Sequence, residues 1–328
     1  MPYIKTYTDL HLHLDGAINL KIVKKLAKIQ QIPLNFSNDE EILKQIRIPE
    51  EYNNLNDFLK CFAFPLSLLQ TPKGLTEAVR LVLNEAKKNG CIYAEVRYAP
   101  QLHTEKGMSQ EEAIRAALKG LKKSSLKANL ILCLMRGENN DEQNLETVNL
   151  AKKYLVEDGG VVAIDLAGAE GLYPTSKYKT IFEYAKSLDI PFTIHSGETE
   201  DAEGVKLAIE YGAKRIGHGV RIQGHDSIMN LVKDSGVCLE LCPTSNLLTS
   251  ACLNLKEYPA LKFMNYGIDV CINTDDPAIE GVNIIHEFNA LEAALGLTKE
   301  QEILMVQNAI KHAFTTDKVK TKLLRKIR

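Results

Sequence analysis

Eight short apolar runs, rich in β-branched residues and separated by stretches of helical charge alternation, set the strongest limit on what this chain folds into. They are TDLHLHL (8–14), CIYAEVRY (91–98), ANLILCLM (128–135), VVAIDLA (161–167), PFTIHS (191–196), RIGHG (215–219), VCLELC (237–242) and DVCINT (269–274). Several follow a Gly or Pro of the kind that ends a helix. Between them, segments such as SQEEAIRAALKGLKKSSL from Ser109 and DAEGVKLAIEYGAK from Asp201 gather their apolar residues on one helical face. Ser109 and Glu112 have the spacing of a capping box. Strand-plus-helix units in series predict an α/β protein with a parallel sheet, and eight of them favour closure into a (β/α)8, or TIM, barrel over an open doubly wound sheet. No G-x-G-x-x-G or G-x-x-x-x-G-K-[ST] phosphate loop follows the first run, which speaks against the open nucleotide-binding alternative.

The 328 residues exceed the roughly 250 of a bare barrel, and two regions hold the excess. Residues from about 18 to 90 form a long helical insertion after strand 1, including the amphipathic NDFLKCFAFPLSLL around Phe58. After the eighth unit, TKEQEILMVQNAIKHAF and TTDKVKTKLLRKIR read as two C-terminal helices. With no internal repeat or low-complexity linker, a single domain over 1–328 is expected. Hydrophobic residues at 45% suffice for a large core. Forty basic against forty-two acidic residues leave a net charge of -2, which offers no general attraction for nucleic acid or an acidic membrane, so the expected partner is a small molecule. No run reaches the eighteen apolar residues of a membrane span. The seven cysteines form no C-x-x-C pair and sit mostly in apolar runs, as buried free thiols do; MPYIKTYTDL lacks a basic region followed by an apolar one, so a cytoplasmic protein is expected.

His11 and His13 lie two apart on a strand, so both side chains turn to one face while Leu10, Leu12 and Leu14 turn to the other. Two imidazoles on one face can take neighbouring corners of a zinc coordination shell. Eight histidines in 328 residues give such a pair by chance in roughly one chain in six, so the pair alone decides nothing. The other polar residues decide more. His195 ends the fifth strand, His218 the sixth, and Asp275 with Asp276 the eighth, all at the C-terminal ends where barrel enzymes keep their sites. Adjacent carboxylates beside an apolar strand need a cation or hydrogen-bond donors. Glu198 leaves the fifth strand on a turn at Gly197 and faces the same mouth, which makes it the candidate general acid. His218, between glycines, suits either a ligand or a proton-handling role.

The motifs HLHLDGA from His11, DLAGAE from Asp165, IHSGE from Ile194, RIGHGV from Arg215, CPTSN from Cys242 and NTDDP from Asn273 together resemble those of the adenosine deaminases. EVRYAP at 95–100 and GVNIIHEF at 281–288 are similar to the matching segments of bacterial members, and the likeness runs through the whole chain. What the resemblance implies is a zinc-bearing (β/α)8 barrel of the amidohydrolase type. It would convert adenosine, and 2′-deoxyadenosine, to inosine and ammonia in purine salvage. By that resemblance His11, His13, His195 and Asp275 hold one Zn2+ per chain. Glu198 protonates purine N1, and His218 orients and activates the attacking water. Asp276 meets N7, the backbone N–H of Gly168 meets N3, and Asp15 binds the ribose 5′-hydroxyl, with His13 also lining the substrate site. Leu55, Phe58, Leu59 and Phe62 look like the apolar lid of the family.

One departure stands out: Ala169 occupies a place that is usually acidic, leaving Glu170 as the nearest carboxylate. No lysine in DLAG is available to form a bridging carbamate, which favours one metal over two. The H-x-E with P-C-x-x-C signature of the cytidine deaminase fold is absent. The alternatives are a barrel deaminase acting on adenine or on an N6-modified adenine nucleotide, and a nucleoside-binding barrel without turnover. Relatives resemble Glu for adenine and Asn for the nucleotide at the position of Asp15, whereas an aspartate suits a neutral 5′-hydroxyl and repels a 5′-phosphate.

Overall fold

A computed structural model describes residues 2–34, 36–49, 55–199 and 202–327, with the backbone alone for 55–60. The eight apolar runs are strands: β1 Tyr7–His13, β2 Cys91–Tyr98, β3 Ala128–Met135, β4 Val161–Ala167, β5 Thr193–Ser196, β6 Arg215–His218, β7 Cys238–Leu241 and β8 Asp269–Ile272. All pair in parallel, in two four-stranded sheets of order β1-β2-β3-β4 and β5-β6-β7-β8. Two single parallel bridges, Ile164 with Phe192 and Leu12 with Asp275, close the seams between them and complete the α/β barrel. At the second seam the His13 N–H donates to the Asp275 carbonyl at 2.9 Å, and the Asp275 N–H donates to the His11 carbonyl at 2.8 Å. Several strands are a residue or two shorter than their apolar runs. β5 begins only at Thr193 because Pro191 has no N–H to give a ladder. β8 stops at Ile272, before the left-handed backbone of Asp275, whose φ is 57°.

The insertion after β1 consists of the helices Leu20–Gln30, Asp39–Ile46, Leu55–Ser67 and Pro72–Lys88. The Ser109–Glu112 capping box forms at the helix Gln110–Lys123. Helices Lys299–His312 and Asp317–Leu324 end the chain as expected, each started by a threonine that caps a backbone N–H three residues on. Leu10, Leu12 and Leu14 are buried in the layer between strands and helices, the face opposite to His11 and His13. All seven cysteines are free, and all but the half-buried Cys252 are buried. Among the described residues no helix is long and apolar enough to cross a membrane.

The barrel interior is charged as well as apolar. Arg97 of β2 pairs with Asp165 of β4 at 2.8 Å and with Glu240 of β7 at 2.7 Å. Arg215 of β6 pairs with Glu240 at 2.5 Å and with Glu95 of β2 at 2.7 Å. All five side chains are fully buried, and each buried charge is tolerated because an opposite charge answers it. This chain of ion pairs crosses from one sheet to the other directly beneath the histidines.

Candidate active site

Closure of the β8–β1 seam brings four donors together. Nitrogens of His11, His13 and His195 and an oxygen of Asp275 all lie within 4.8 Å of one another. His195 Nε2 is 3.0 Å from His11 Nε2 and 3.1 Å from His13 Nε2. Asp275 Oδ1 is 3.3 Å from His11 Nε2 and 3.4 Å from His13 Nε2. The far nitrogen of His11, Nδ1, faces Glu240 Oε2 at 2.8 Å, so its proton belongs there and Nε2 presents a lone pair. His195 Nδ1 approaches Asp165 Oδ2 at 2.9 Å, close enough for charge pairing though outside hydrogen-bond geometry. Lone pairs pointed at each other across 3.0 Å repel unless a cation sits among them. A tetrahedral zinc with bonds near 2.0–2.1 Å has ligand–ligand edges of roughly 3.3 Å, which these separations match. The four residues thus form a potential metal site by their donor chemistry and their spacing.

The surroundings hold the donors in ligand form. Burial depresses the basicity of His13 well below the usual imidazole range. Burial alone would raise Asp275, but the imidazoles of His11, His218 and His13 outweigh it and hold the carboxylate ionised. Burial likewise works against Glu240 and is overcome by Arg97 and Arg215. It is overcome at Asp165 by His195 and Arg97. His218 (φ 65°) and Asp275 (φ 57°) both adopt left-handed backbone, which costs a residue with a side chain and is common where function fixes a geometry.

A cavity of about 760 Å3 opens at the C-terminal ends of the strands, and His13, Asp15, Gly168, His195, Glu198, His218, Asp275 and Asp276 all line it. Glu198 sits on the turn after β5 made by Gly197 (φ 72°), its Oε2 3.6 Å from His218 Nε2. His218 Nε2 is also 3.8 Å from Asp275 Oδ2. Asn246 orients the His218 ring. Its Oδ1 accepts from the Tyr258 hydroxyl at 2.8 Å, which turns its amide Nδ2 to donate to His218 Nδ1 at 3.1 Å. Asp15 and Asp276 each leave Oδ1 without a hydrogen-bond partner while buried at the cavity. Burial raises Asp15 to about 6. Burial, then the carboxylates of Asp275, Asp15 and Glu198, push Asp276 well above the usual range. Phe62 and Leu66 of the helix Leu55–Ser67 line the same cavity; the side chains of Leu55, Phe58 and Leu59 lie outside the described residues. A second groove, of about 780 Å3, runs among Lys21, Lys24, Lys25 and Arg47 and contains none of the four donors.

Several contributors escaped the sequence reading. Glu240, Arg97 and Arg215 carry the signal that singled out the two aspartates, a charge within an apolar strand. Asn246 stands inside the CPTSN motif with nothing to mark it as a support for His218. Gly16 matters by what it lacks: a Cβ there would lie 1.7 Å from Asp276 Oδ1 and 2.5 Å from its Cγ. His103, His225, His286 and His312 stay outside the donor cluster, His312 pairing instead with Asp269 at 2.8 Å.

Comparison with known proteins agrees with this geometry. The chain is similar, at 42% identity over 96% of its length and 94% of the relative's, to an adenosine deaminase of Haemophilus ducreyi. Among solved structures it resembles the adenine deaminase of Arthrobacter aurescens (TM-score 0.86, 26% identity, 97% of each chain). It also resembles the N6-methyl-AMP deaminase of Arabidopsis thaliana (TM-score 0.83, 26% identity, 97% of this chain and 94% of that one). With the adenosine deaminase family model matching residues 7–328, the chain belongs to the adenosine deaminase family.

Proposed function

We propose that this chain, read as one (β/α)8 domain over its whole length, catalyses the hydrolytic deamination of adenosine, and of 2′-deoxyadenosine, to inosine and ammonia. The observation that carries the reading is the meeting of four donors able to hold a metal ion, Glu198 and His218 at one cavity. Its family is that of proteins named adenosine deaminase. His11, His13, His195 and Asp275 would hold a single zinc, whose Lewis acidity would lower the pKa of water toward neutrality.

The remaining chemistry belongs to the protein's own side chains. Addition of water oxygen to C6 breaks the aromaticity of the ring, and a proton delivered to N1 as the bond forms removes most of that cost. Glu198 supplies that proton from the turn after β5. With Nδ1 of His218 facing the Asn246 amide, its ring N–H at Nε2 points into the mouth. From there it orients the attacking oxygen and stabilises the negative charge that develops on it. Asp276 faces N7, the N–H of Gly168 faces N3, and the Phe62 and Leu66 side chains exclude bulk water. The unpartnered Oδ1 of Asp15 accepts the 5′-hydroxyl of the ribose and repels a 5′-phosphate, which favours the nucleoside over its nucleotide.

Ammonia release measured over adenosine, 2′-deoxyadenosine, adenine and AMP tests the reading. The two nucleosides are expected to turn over and AMP to be rejected; turnover confined to adenine or AMP would replace the assignment. Glu198→Gln is expected to lose at least about 1000-fold in kcat while keeping about one zinc per chain. Full activity in that variant removes Glu198 from the mechanism.

A further inference from the structure

The carboxylate of Glu170, 2% exposed, is committed to the backbone that carries Glu198. Its Oε1 accepts from the Gly197 N–H at 2.6 Å. Its Oε2 accepts from the Glu198 N–H at 3.0 Å and from the Thr199 N–H at 2.8 Å. Three consecutive peptide donors converging on one anion make a strong, charge-assisted clamp. The same turn is held from its other side, where Arg221 Nε donates to the Glu198 carbonyl at 3.1 Å and Nη2 donates to the Ser250 carbonyl at 3.1 Å.

Topology explains why a clamp is placed there. Glu170 follows β4 and Glu198 follows β5, the two strands flanking a seam that a single bridge, Ile164 with Phe192, joins. Nothing in the strand ladders fixes one loop against the other at the mouth. The backbone of 197–199 belongs to neither strand nor helix, so without Glu170 its three N–H groups would have no carboxylate to meet.

Resting on the reading of Glu198 as the N1 proton donor, we infer that Glu170 is a positioning residue for this reaction: it sets the location of Glu198 by binding the peptide groups on either side of it. A donor displaced by about 1 Å loses on the order of 100-fold in rate, and none of the four metal donors is a partner in the three hydrogen bonds of the clamp.

The test combines kinetics with amide hydrogen exchange on the full zinc-loaded chain. Glu170→Gln, whose amide turns a donor toward the three N–H groups, is expected to lose roughly 100-fold in kcat. Its KM for adenosine should stay within about threefold and its zinc content near one per chain, and the amides of Gly197, Glu198 and Thr199 should lose their protection. Glu170→Asp keeps the charge on a shorter arm and is expected to recover part of the loss. Unchanged kcat in folded Glu170→Gln, or an equal fall in metal content and activity, overturns the role. Should Glu170→Gln fail to fold, the parent chain decides, since free-peptide exchange rates at 197–199 would show that no clamp exists. An inactive parent overturns the deaminase reading and the inference with it, whereas an active parent with unaffected Glu170 variants overturns the inference alone.

Discussion

A missing methyl group governs one wall of the cavity. Gly16 follows Asp15 directly, and its hydrogen is what lets the Asp276 carboxylate come close; an added Cβ would overlap Asp276 Oδ1 and crowd its Cβ at 2.7 Å. Because Asp276 follows Asp275, whose peptide is pinned to β1 by two hydrogen bonds, the backbone cannot retreat cheaply and the side chain must swing instead. Gly16→Ala is therefore expected to lower kcat/KM for adenosine by at least about tenfold, the equivalent of one displaced hydrogen bond of roughly 1.4 kcal/mol. Metal content is expected to stay unchanged, as the three atoms nearest the new methyl all belong to Asp276. Steady-state kinetics with zinc analysis checks this, and wild-type kcat/KM in the variant would show that Asp276 makes no contact that matters.

The strands were legible because each is an apolar run, several of them preceded by a helix stop, and the candidate residues His13, His195, His218, Asp275 and Asp276 stand at or near the ends of those runs. The supports beneath them were not, since Arg97 meets Asp165 across 68 residues and Glu240 across 143, and only barrel closure supplies such partners. Parity along a strand tells which face a charge takes, not which charge it meets. Glu240 concentrates this hidden layer: it accepts from Arg97, Arg215 and Thr193 and holds the proton of His11. Glu240→Gln should destabilise the fold by about 3–5 kcal/mol through under-compensated arginines. It should also weaken zinc affinity on the order of 10–100-fold, as urea unfolding and chelator competition would measure; unchanged metal affinity would detach Glu240 from the site. A simpler pairing ties the helix Lys299–His312 to β8, where Asp269 meets Lys311 at 2.6 Å and His312 at 2.8 Å. The hydrogen bond from His312, then that from Lys311, pull Asp269 down to about 2 from 3.8 despite partial burial. A carboxyl depressed on folding stabilises above its unfolded value and loses that contribution as pH falls from about 4 through 2. Asp269→Asn is thus expected to cost about 1–2 kcal/mol at pH 6, with the gap to the parent closing below about pH 3; a gap independent of pH would assign the loss to packing.

At the scale of the whole barrel, the candidate metal site is also a fastening. His11 and His13 come from β1 in one sheet, His195 from β5 in the other, and Asp275 from the seam where β8 meets β1. A cation bound by all four ties the two sheets together at the point where backbone pairing between them is sparse. It binds only when both are in place, since the donors lie 264 residues apart in sequence at their farthest, from His11 to Asp275. A ligand that binds the folded state alone adds RT ln(1 + [L]/Kd), about 4 kcal/mol at a thousandfold excess over Kd. Spread over an unfolding entropy of roughly 2.1 cal/mol/K per residue, this corresponds to a shift of roughly 6 °C for a chain of 328 residues. Removal of zinc by a chelator is accordingly expected to lower Tm by about that amount, and added zinc to restore it. In His195→Ala, which removes the only donor from the second sheet's first strand, the zinc-dependent part of the shift should largely vanish. A parent chain whose Tm ignores both chelator and zinc would mean that the four donors converge without ever sharing a cation.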